Sequence, residues 1–466
     1  MAQGLLGARL MRALLLAAVI AVSGCAYSGG VAPPGGAELA YTGGGGDFGA
    51  TPGGVKDIGQ ARALIDQGQV PSASLIMAEG LFSEHDFPAE GGPCADLFCA
   101  RPAAGRHLLR ETGKQTLLVH VGMLSGLPAT WKRPPADIMV AVDKGASMVG
   151  DLKETMEGIN GMIDRLGPDD RFGAVVFDDR ATVLVPLGRI ADKAALKAKL
   201  LTVPASGGFQ GVVEGPRLAF DALAAAKSPG RLSRMMMFAC GFPPTSDAKF
   251  DALLETNAAA GIGASFFGIL LGGDYSSARY FSDLHGGNAY FLNDLERVKT
   301  VFETDLDLMI TPLAYDLSMK LKATGATVKR VWGLPQDAQS LEAKTIFASR
   351  NKGAIVIELD APAEADVATL MTFDLSYRAT LDAQPTASSA ALVAETKGGV
   401  RKAAAVVNLA DGLKAALTLW EHGKATEART AVDDLVSYLE AEAKALGDAQ
   451  LEREVQLLTK LRSNMK

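Results

Sequence analysis

Ala136-Asp137-Ile138-Met139-Val140-Ala141-Val142-Asp143-Lys144-Gly145-Ala146-Ser147-Met148 is the stretch that decides the fold. The apolar run Ile138 to Val142 is too short for a helix and ends in an acid and a small-residue turn. Helical spacing takes over from Val149. The pattern is a buried strand that delivers a loop at its C-terminal end, where open α/β sheets place their ligand sites. Asp143, Gly145 and Ser147 fall at i, i+2 and i+4 along that loop.

Outward from this stretch, strands and helices alternate from 136 to 310, as a doubly wound, mostly parallel α/β sheet requires. Val149–Leu166 carries Met156, Ile159, Met162 and Ile163 on one helical face. Arg171–Phe177 and Thr182–Leu187 are two strands joined by a turn at Asp178-Asp179-Arg180. Met235–Cys240 is apolar throughout and so reads as a central strand. Helices are expected at Ala194–Leu201, Pro216–Ala226, Phe250–Ala260 and Leu295–Ile310, with strands at Ala264–Leu271 and Ala289–Phe291.

The loop Asp143-Lys144-Gly145-Ala146-Ser147 resembles the D-x-S-x-S metal loop of von Willebrand factor type A (VWA) domains. Five further segments match that family in order: Arg171–Phe177, Ser206-Gly207-Gly208, Arg234–Gly241, Gly268–Tyr275 and Leu284–Phe291. An ordered set is far more specific than any single loop. The segment Ala61–Pro71, with the aromatic-rich Ala78–Pro88 after it, resembles the lead-in of bacterial A-domain lipoproteins of the YfbK kind.

In that family a divalent ion is held by the loop Asp, two Ser hydroxyls, a Thr from the second loop and an Asp from a T-D-G strand end. A hard cation needs several such oxygens. Here Asp143 and Ser147 remain, Gly145 stands at the first Ser, Phe209 or Gln210 at the Thr, and Cys240 at the Asp. The resemblance therefore implies a degenerate site with no cofactor. Asp143 and Ser147 would then cap the helix that starts near Met148. The alternative is Mg or Mn ligation through Asp143, Ser147 and Gln210; a soft-metal or redox role for Cys240 is a further one. Without an ion, a partner would be gripped by a crevice of Asp143, Gly145, Ser147, Gly208, Phe209, Gln210, Cys240 and Phe242, with the two Phe as apolar anchors.

Arg9 and Arg12 followed by apolar Ala13–Val22 form a targeting segment. Val22-Ser23-Gly24-Cys25 resembles a bacterial lipobox, which implies acylation at Cys25; an ordinary signal peptide with an incidental Cys is the alternative. Ala26 after the Cys, rather than Asp, implies the outer membrane of a Gram-negative-type envelope. The expected divisions are a signal peptide at 1–24, a Gly/Pro-rich tether at 25–56, a helical and β flank at 57–130, the VWA domain at 131–312, a β-rich domain at 313–398 and a helical segment at 399–466.

Cys94 and Cys99 read first as a local disulfide in an exported protein; free thiols, or a zinc site with His85 or His107, are the alternatives. Gln115–Val121 reads as a strand in which His120 is packed. Leu313–Ala323, Ala354–Leu359 and Thr369–Tyr377 alternate as half-exposed strands do. Strands 115–121 and 313–323 are expected side by side, in a β-sandwich built from both flanks. Residues 381 to 399 read as a mobile loop. From Arg401 on, three apolar helical faces are separated at Gly423 and Gly447.

The formal charge of −7 comes without a basic cluster, which argues against nucleic-acid binding. The five His residues form no H-E-x-x-H, and no G-x-S-x-G elbow or P-loop appears. The expectation is a non-enzymatic, lipid-anchored envelope module that binds protein partners as scaffold or adhesin. The alternatives are a Mg- or Mn-dependent VWA adhesin and an envelope hydrolase with a site unreadable from sequence.

Overall fold

The computed structural model describes residues 48–206, 208, 213–240, 247–269, 280–281, 283–291, 295–323, 325–334, 341–363 and 365–466. In chain order, two short strands β1 (Gly49–Pro52) and β2 (Gly54–Val55) precede helices α1 (Gly59–Asp66) and α2 (Ala78–Glu84), then a long hairpin, β3 (Phe98–Leu109) and β4 (Lys114–Ser125). The α/β part runs β5 (Ala136–Asp143), α3 (Leu152–Arg165), β6 (Arg171–Phe177), β7 (Ala181–Arg189), α4 (Lys193–Leu201), α5 (Glu214–Ala226), β8 (Leu232–Ala239), α6 (Ala248–Ala259), β9 (Gly263–Gly268), β10 (Gly287–Phe291) and α7 (Leu295–Met309). After it come β11 (Pro312–Ala323), β12 (Thr327–Trp332), β13 (Leu341–Ser349), β14 (Gly353–Asp360), the single turn α8 (Val367–Leu370), β15 (Met371–Arg378), β16 (Thr386–Ala391) and β17 (Val393–Ala394). Helices α9 (Gly399–Glu421), α10 (Ala425–Leu446) and α11 (Ala449–Asn464) complete the chain.

The α/β part is a seven-stranded sheet in the order β2-β10-β9-β8-β5-β6-β7, parallel except where β7 turns back on β6. Strand β5 is buried along its whole length and sits between β8 and β6. Its side chains alternate between two cores, as pleating dictates. Ile138, Val140 and Val142 meet Met156, Ile159 and Met162 of α3 and Phe302 of α7. Met139 and Ala141 meet Phe220 of α5 and Phe250 of α6 on the other face. The expected doubly wound α/β fold is the observed one.

The flanks form one ten-stranded sheet, β12-β14-β4-β1-β13-β11-β15-β16, with β3 along the other edge of β4 and β17 on β3. Its inner faces share a core of Val119, Val121, Ile357, Ile346, Phe373 and Leu317. On the back of this frame, Leu118 and Val356 pack in the same cluster as Val400, Ala403 and Val407 of α9. Helices α9, α10 and α11 fold as successive hairpins; Gly447 ends α10 at φ 62, a conformation that costs a residue without Cβ little.

Four expectations need correction. Residues 48–56 are not tether, because β1 and β2 pair into the two sheets. Strands β4 and β11 share a sheet but are not neighbours, since β1 and β13 lie between them. Residues 381–399 contain β16 and β17, so only their turns are loop. Finally, α3 starts at Leu152, after a 3-10 turn at Ala146–Met148, and not at Val149.

Candidate functional site

The C-terminal ends of β5, β6 and β8 meet at one edge of the seven-stranded sheet and bring Asp143, Asp178 and Cys240 together. Asp143 is fully buried. One carboxylate oxygen accepts from the Gly145 N–H at 2.8 Å, and the other from the Ser147 hydroxyl at 3.4 Å. The Cys240 N–H donates to the same carboxylate. Burial raises its pKa above the ordinary value, against these donors. The expected helix caps are therefore not made. Asp143 closes its own loop, and neither the 3-10 turn nor α3 has a side-chain N-cap bond.

Gly145 is required by close approach. A Cβ there would stand 2.9 Å from the Gly208 carbonyl oxygen and 3.1 Å from an Asp143 oxygen. The second loop lies directly on the first: the Gly208 carbonyl accepts from Ala146 N–H at 3.0 Å, and the Lys144 carbonyl accepts from Ser206 N–H at 2.7 Å. Lys144 and Asp178 form an ion pair, and the Ser206 hydroxyl donates to the same Asp178 carboxylate at 2.6 Å. These bonds hold the Asp178 carboxyl well below the usual carboxylate range, the Lys144 bond contributing most. On the rim, Val149 is 64% exposed.

Thus the structure gathers Asp143, Gly145, Ser147, Gly208 and Cys240 at one edge. Phe209, Gln210, Phe242 and Cys25 lie outside the described residues. The sequence reading missed Lys144, Asp178 and Ser206. Asp178 carried a usable signal, since it follows β6 directly and so must end at the same edge as Asp143. Cys94 and Cys99 form a disulfide before and at the start of β3, which leaves the free-thiol and zinc readings without their ligands.

Whether a divalent ion fits can be tested on these groups. Such an ion takes six or more oxygens. Both Asp143 oxygens are committed to the chain's own donors, the Ser147 hydroxyl points to Asp143, and the nearest second carboxylate is held by the Lys144 ammonium. Among the described residues no group of three or more His, Cys, Asp or Glu is placed to hold a metal ion. By themselves the described donors supply fewer oxygens than a divalent cation takes.

Residues 137–304 match the family model of the von Willebrand factor type A domain, and with the sheet order above they identify a VWA domain within this chain. An uncharacterized protein from Synechocystis sp. is 30% identical over 111 residues. Those residues are 24% of this chain and 26% of that protein, so the match spans about a quarter of the relative's length. Among solved structures, the von Willebrand factor type A protein from Catenulispora acidiphila is 17% identical with a TM-score of 0.47, covering 81% of this chain and 90% of its own. The ArnB paralog VWA2 from Sulfolobus acidocaldarius is 14% identical at a TM-score of 0.39, covering 79% and 97%. Proximal thread matrix protein 1 from the mussel byssus, with a zinc-occupied MIDAS motif, is 17% identical at 0.34, covering 42% and 51%. VWA domains commonly mediate protein–protein interaction or adhesion.

Proposed function

We propose that this protein is a lipid-anchored, non-catalytic interaction module of the cell envelope, acting as scaffold or adhesin. Its VWA crevice engages a protein partner by direct contact, without a bound ion. The observation that carries this reading is that the Asp143 carboxylate accepts from three of the chain's own donors, Gly145, Ser147 and Cys240. A metal that gripped a partner carboxylate would have to compete with those donors for Asp143. Phe209 and Phe242 are the proposed apolar anchors; of the described rim residues, Val149 is exposed. The lipobox-like Val22–Cys25 supports anchoring through Cys25, and Ala26 supports the outer membrane.

The test is thermal unfolding of the full chain, purified from membranes in detergent, in EDTA and then in excess Mg²⁺ or Mn²⁺. A ligand at about a hundred times its dissociation constant would add roughly 2.7 kcal/mol, or on the order of 2–4 °C per kcal/mol for a domain of this size. An unchanged midpoint supports the reading. A rise that Asp143→Ala abolishes overturns it in favour of metal-dependent adhesion. Incorporation of labelled palmitate that Cys25→Ser removes tests the anchor separately.

A further inference from the structure

An open sheet edge is a template for another chain, and proteins blunt it with proline, charge or brevity. Among the described residues, most ends of the two sheets are blunted in this way. Strands β2 and β17 are two residues long, β7 holds Pro186, and β12 holds Lys329 and Arg330. Strand β16 is the exception. Thr386-Ala387-Ser388-Ser389-Ala390-Ala391 has no charge, no proline and no glycine, and it pairs with β15 alone.

The free edge of β16 opens on a cleft. Directly after β16 the chain crosses to β3, where Val393 and Ala394 pair with Ala103 and Ala104. Between β16 and the first half of β3 there is no ladder. A cleft of about 270 Å³ lies there instead, lined by Ala100, Arg101 and Pro102 on one side and by Ser389, Ala390 and Val393 on the other. The register shows which face it exposes. Thr386, Ser388 and Ala390 stand opposite Tyr377, Leu375 and Phe373 and share their side of the sheet. Those three β15 residues are buried, and the Tyr377 ring meets Phe98 of β3 edge-on at 5.8 Å. Thr386 and Ser388, on the same side, remain exposed. The cleft also holds an unpaired cation. Half-buried Arg101 has a single partner, the Pro93 carbonyl, at 3.4 Å from its Nη2, and its Nε has none. Glu90, in the same wall, is committed elsewhere. Its oxygens accept from the N–H groups of Thr396 and Lys397 and from the Thr396 hydroxyl, at 2.6–2.7 Å.

We propose that the free edge of β16 docks an extended, acidic segment of a partner protein, which joins the frame as its next strand and sets a carboxylate on Arg101. Backbone ladder bonds supply the attraction common to all such strand additions, and the side chains that enter the cleft supply the selection. The ladder forms on β16 and not on the facing stretch of β3, because Pro102 has no N–H to offer. The small side chains of β16 leave the incoming strand room. On the incoming strand, residues two apart face the same way. One of them, an acid, meets the guanidinium, a fork that suits a carboxylate. The other, an apolar residue, meets Pro102 and Val393, which is 43% exposed. This edge shares no residue with the VWA crevice and needs neither an ion there nor the lipid.

The probe is a fluorescein-labelled peptide of eight residues, with threonine at odd positions and valine and glutamate by turns at even ones. A second peptide carries lysine in place of glutamate. Fluorescence anisotropy with the full chain should show the glutamate peptide binding at least about tenfold more tightly. The formal charge of −7 on the chain would by itself favour the lysine peptide. Arg101→Gln should remove the preference and Arg101→Lys should keep most of it. Methylating the odd backbone nitrogens of the glutamate peptide, or the even ones, separates ladder from charge. Only one of the two sets should abolish binding, since a strand faces its neighbour through alternate N–H groups. Equal affinity for both peptides, no binding by about 1 mM, or an equal effect of the two methylated sets overturns the proposal. So do two results on the chain without peptide. A dimer that the glutamate peptide dissociates assigns the edge to a second copy. Slow hydrogen exchange at every amide from Thr386 to Ala391 in the monomer, and not at alternate ones, assigns it to the chain itself.

Discussion

Ser147 donates its hydroxyl to Asp143 across 3.4 Å, tying the first and last positions of the i, i+4 loop to each other. With Gly145 and Cys240 donating to the same carboxylate, Asp143 is a structural keystone of the crevice. Asp143→Ala would leave buried donors unpaired. We expect a loss of about 1–3 kcal/mol in urea unfolding, the same in EDTA and in Mg²⁺. A loss seen only in Mg²⁺ would contradict this role.

His120 gives an acid-side prediction. It lies buried in β4 with its ring 5.6 Å from Phe87, and burial pulls its pKa down to about 4. The unfolded chain binds the proton near pH 6.5, the folded chain only near 4. Stability should therefore fall as pH drops from about 6.5 to about 4, by about 3 kcal/mol at 1.36 kcal/mol per unit. Denaturant midpoints across that window should flatten in His120→Gln.

Glu454 anchors the last helix to the first two. It pairs with Arg62 at 2.7 Å, which also holds Glu84, and it lies 3.4 Å from His85. Burial works against its charge, yet Arg62 and His85 bring its pKa down to about 2. This stabilisation is complete above the unfolded value near 4.5 and disappears as pH falls through about 2. Glu454→Gln at neutral pH should cost about 3–5 kcal/mol, with proteolysis appearing first in α11.

The Cys94–Cys99 disulfide closes a short loop ahead of β3. Chain-entropy arithmetic for so short a loop gives about 2 kcal/mol. A Cys94→Ser, Cys99→Ser double variant should lose that much in denaturant unfolding and leave partner capture at the crevice unchanged.

The elements legible in the sequence are those whose own pattern suffices. Ile138–Val142 is a strand by its apolar run, and α9–α11 are helices by their periodicity and by Gly423 and Gly447. The elements missed depend on their partners. Strand β3 carries Pro102, Arg106 and His107 and has no clean alternation, yet it pairs with β4 along all its length. Strand β16, Thr-Ala-Ser-Ser-Ala-Ala, has small exposed side chains and exists because β15 offers it a ladder. Strands β1 and β2 are rich in Gly and Pro and look like linker until two sheets claim them. At the crevice, Asp143 and Ser147 were legible by spacing. The Lys144–Asp178–Ser206 cluster was not, because it joins three loops far apart in sequence. Arg234 was legible only as the first residue of the strand-like Arg234–Gly241 segment, and its burial follows from the carbonyls that converge on it.

Strand β1 has a mechanical consequence. It is an interior strand, bridged to β4 at Gly49↔Leu124 and laddered to β13 from Gly49 to Pro52. A pull applied at residue 48 runs along the strand axis, so its hydrogen bonds bear the load together instead of unzipping one at a time. The same pull reaches β2 through Gly53 alone. Should those bonds yield, the frame would lose its middle strand and the VWA sheet its edge in a single event.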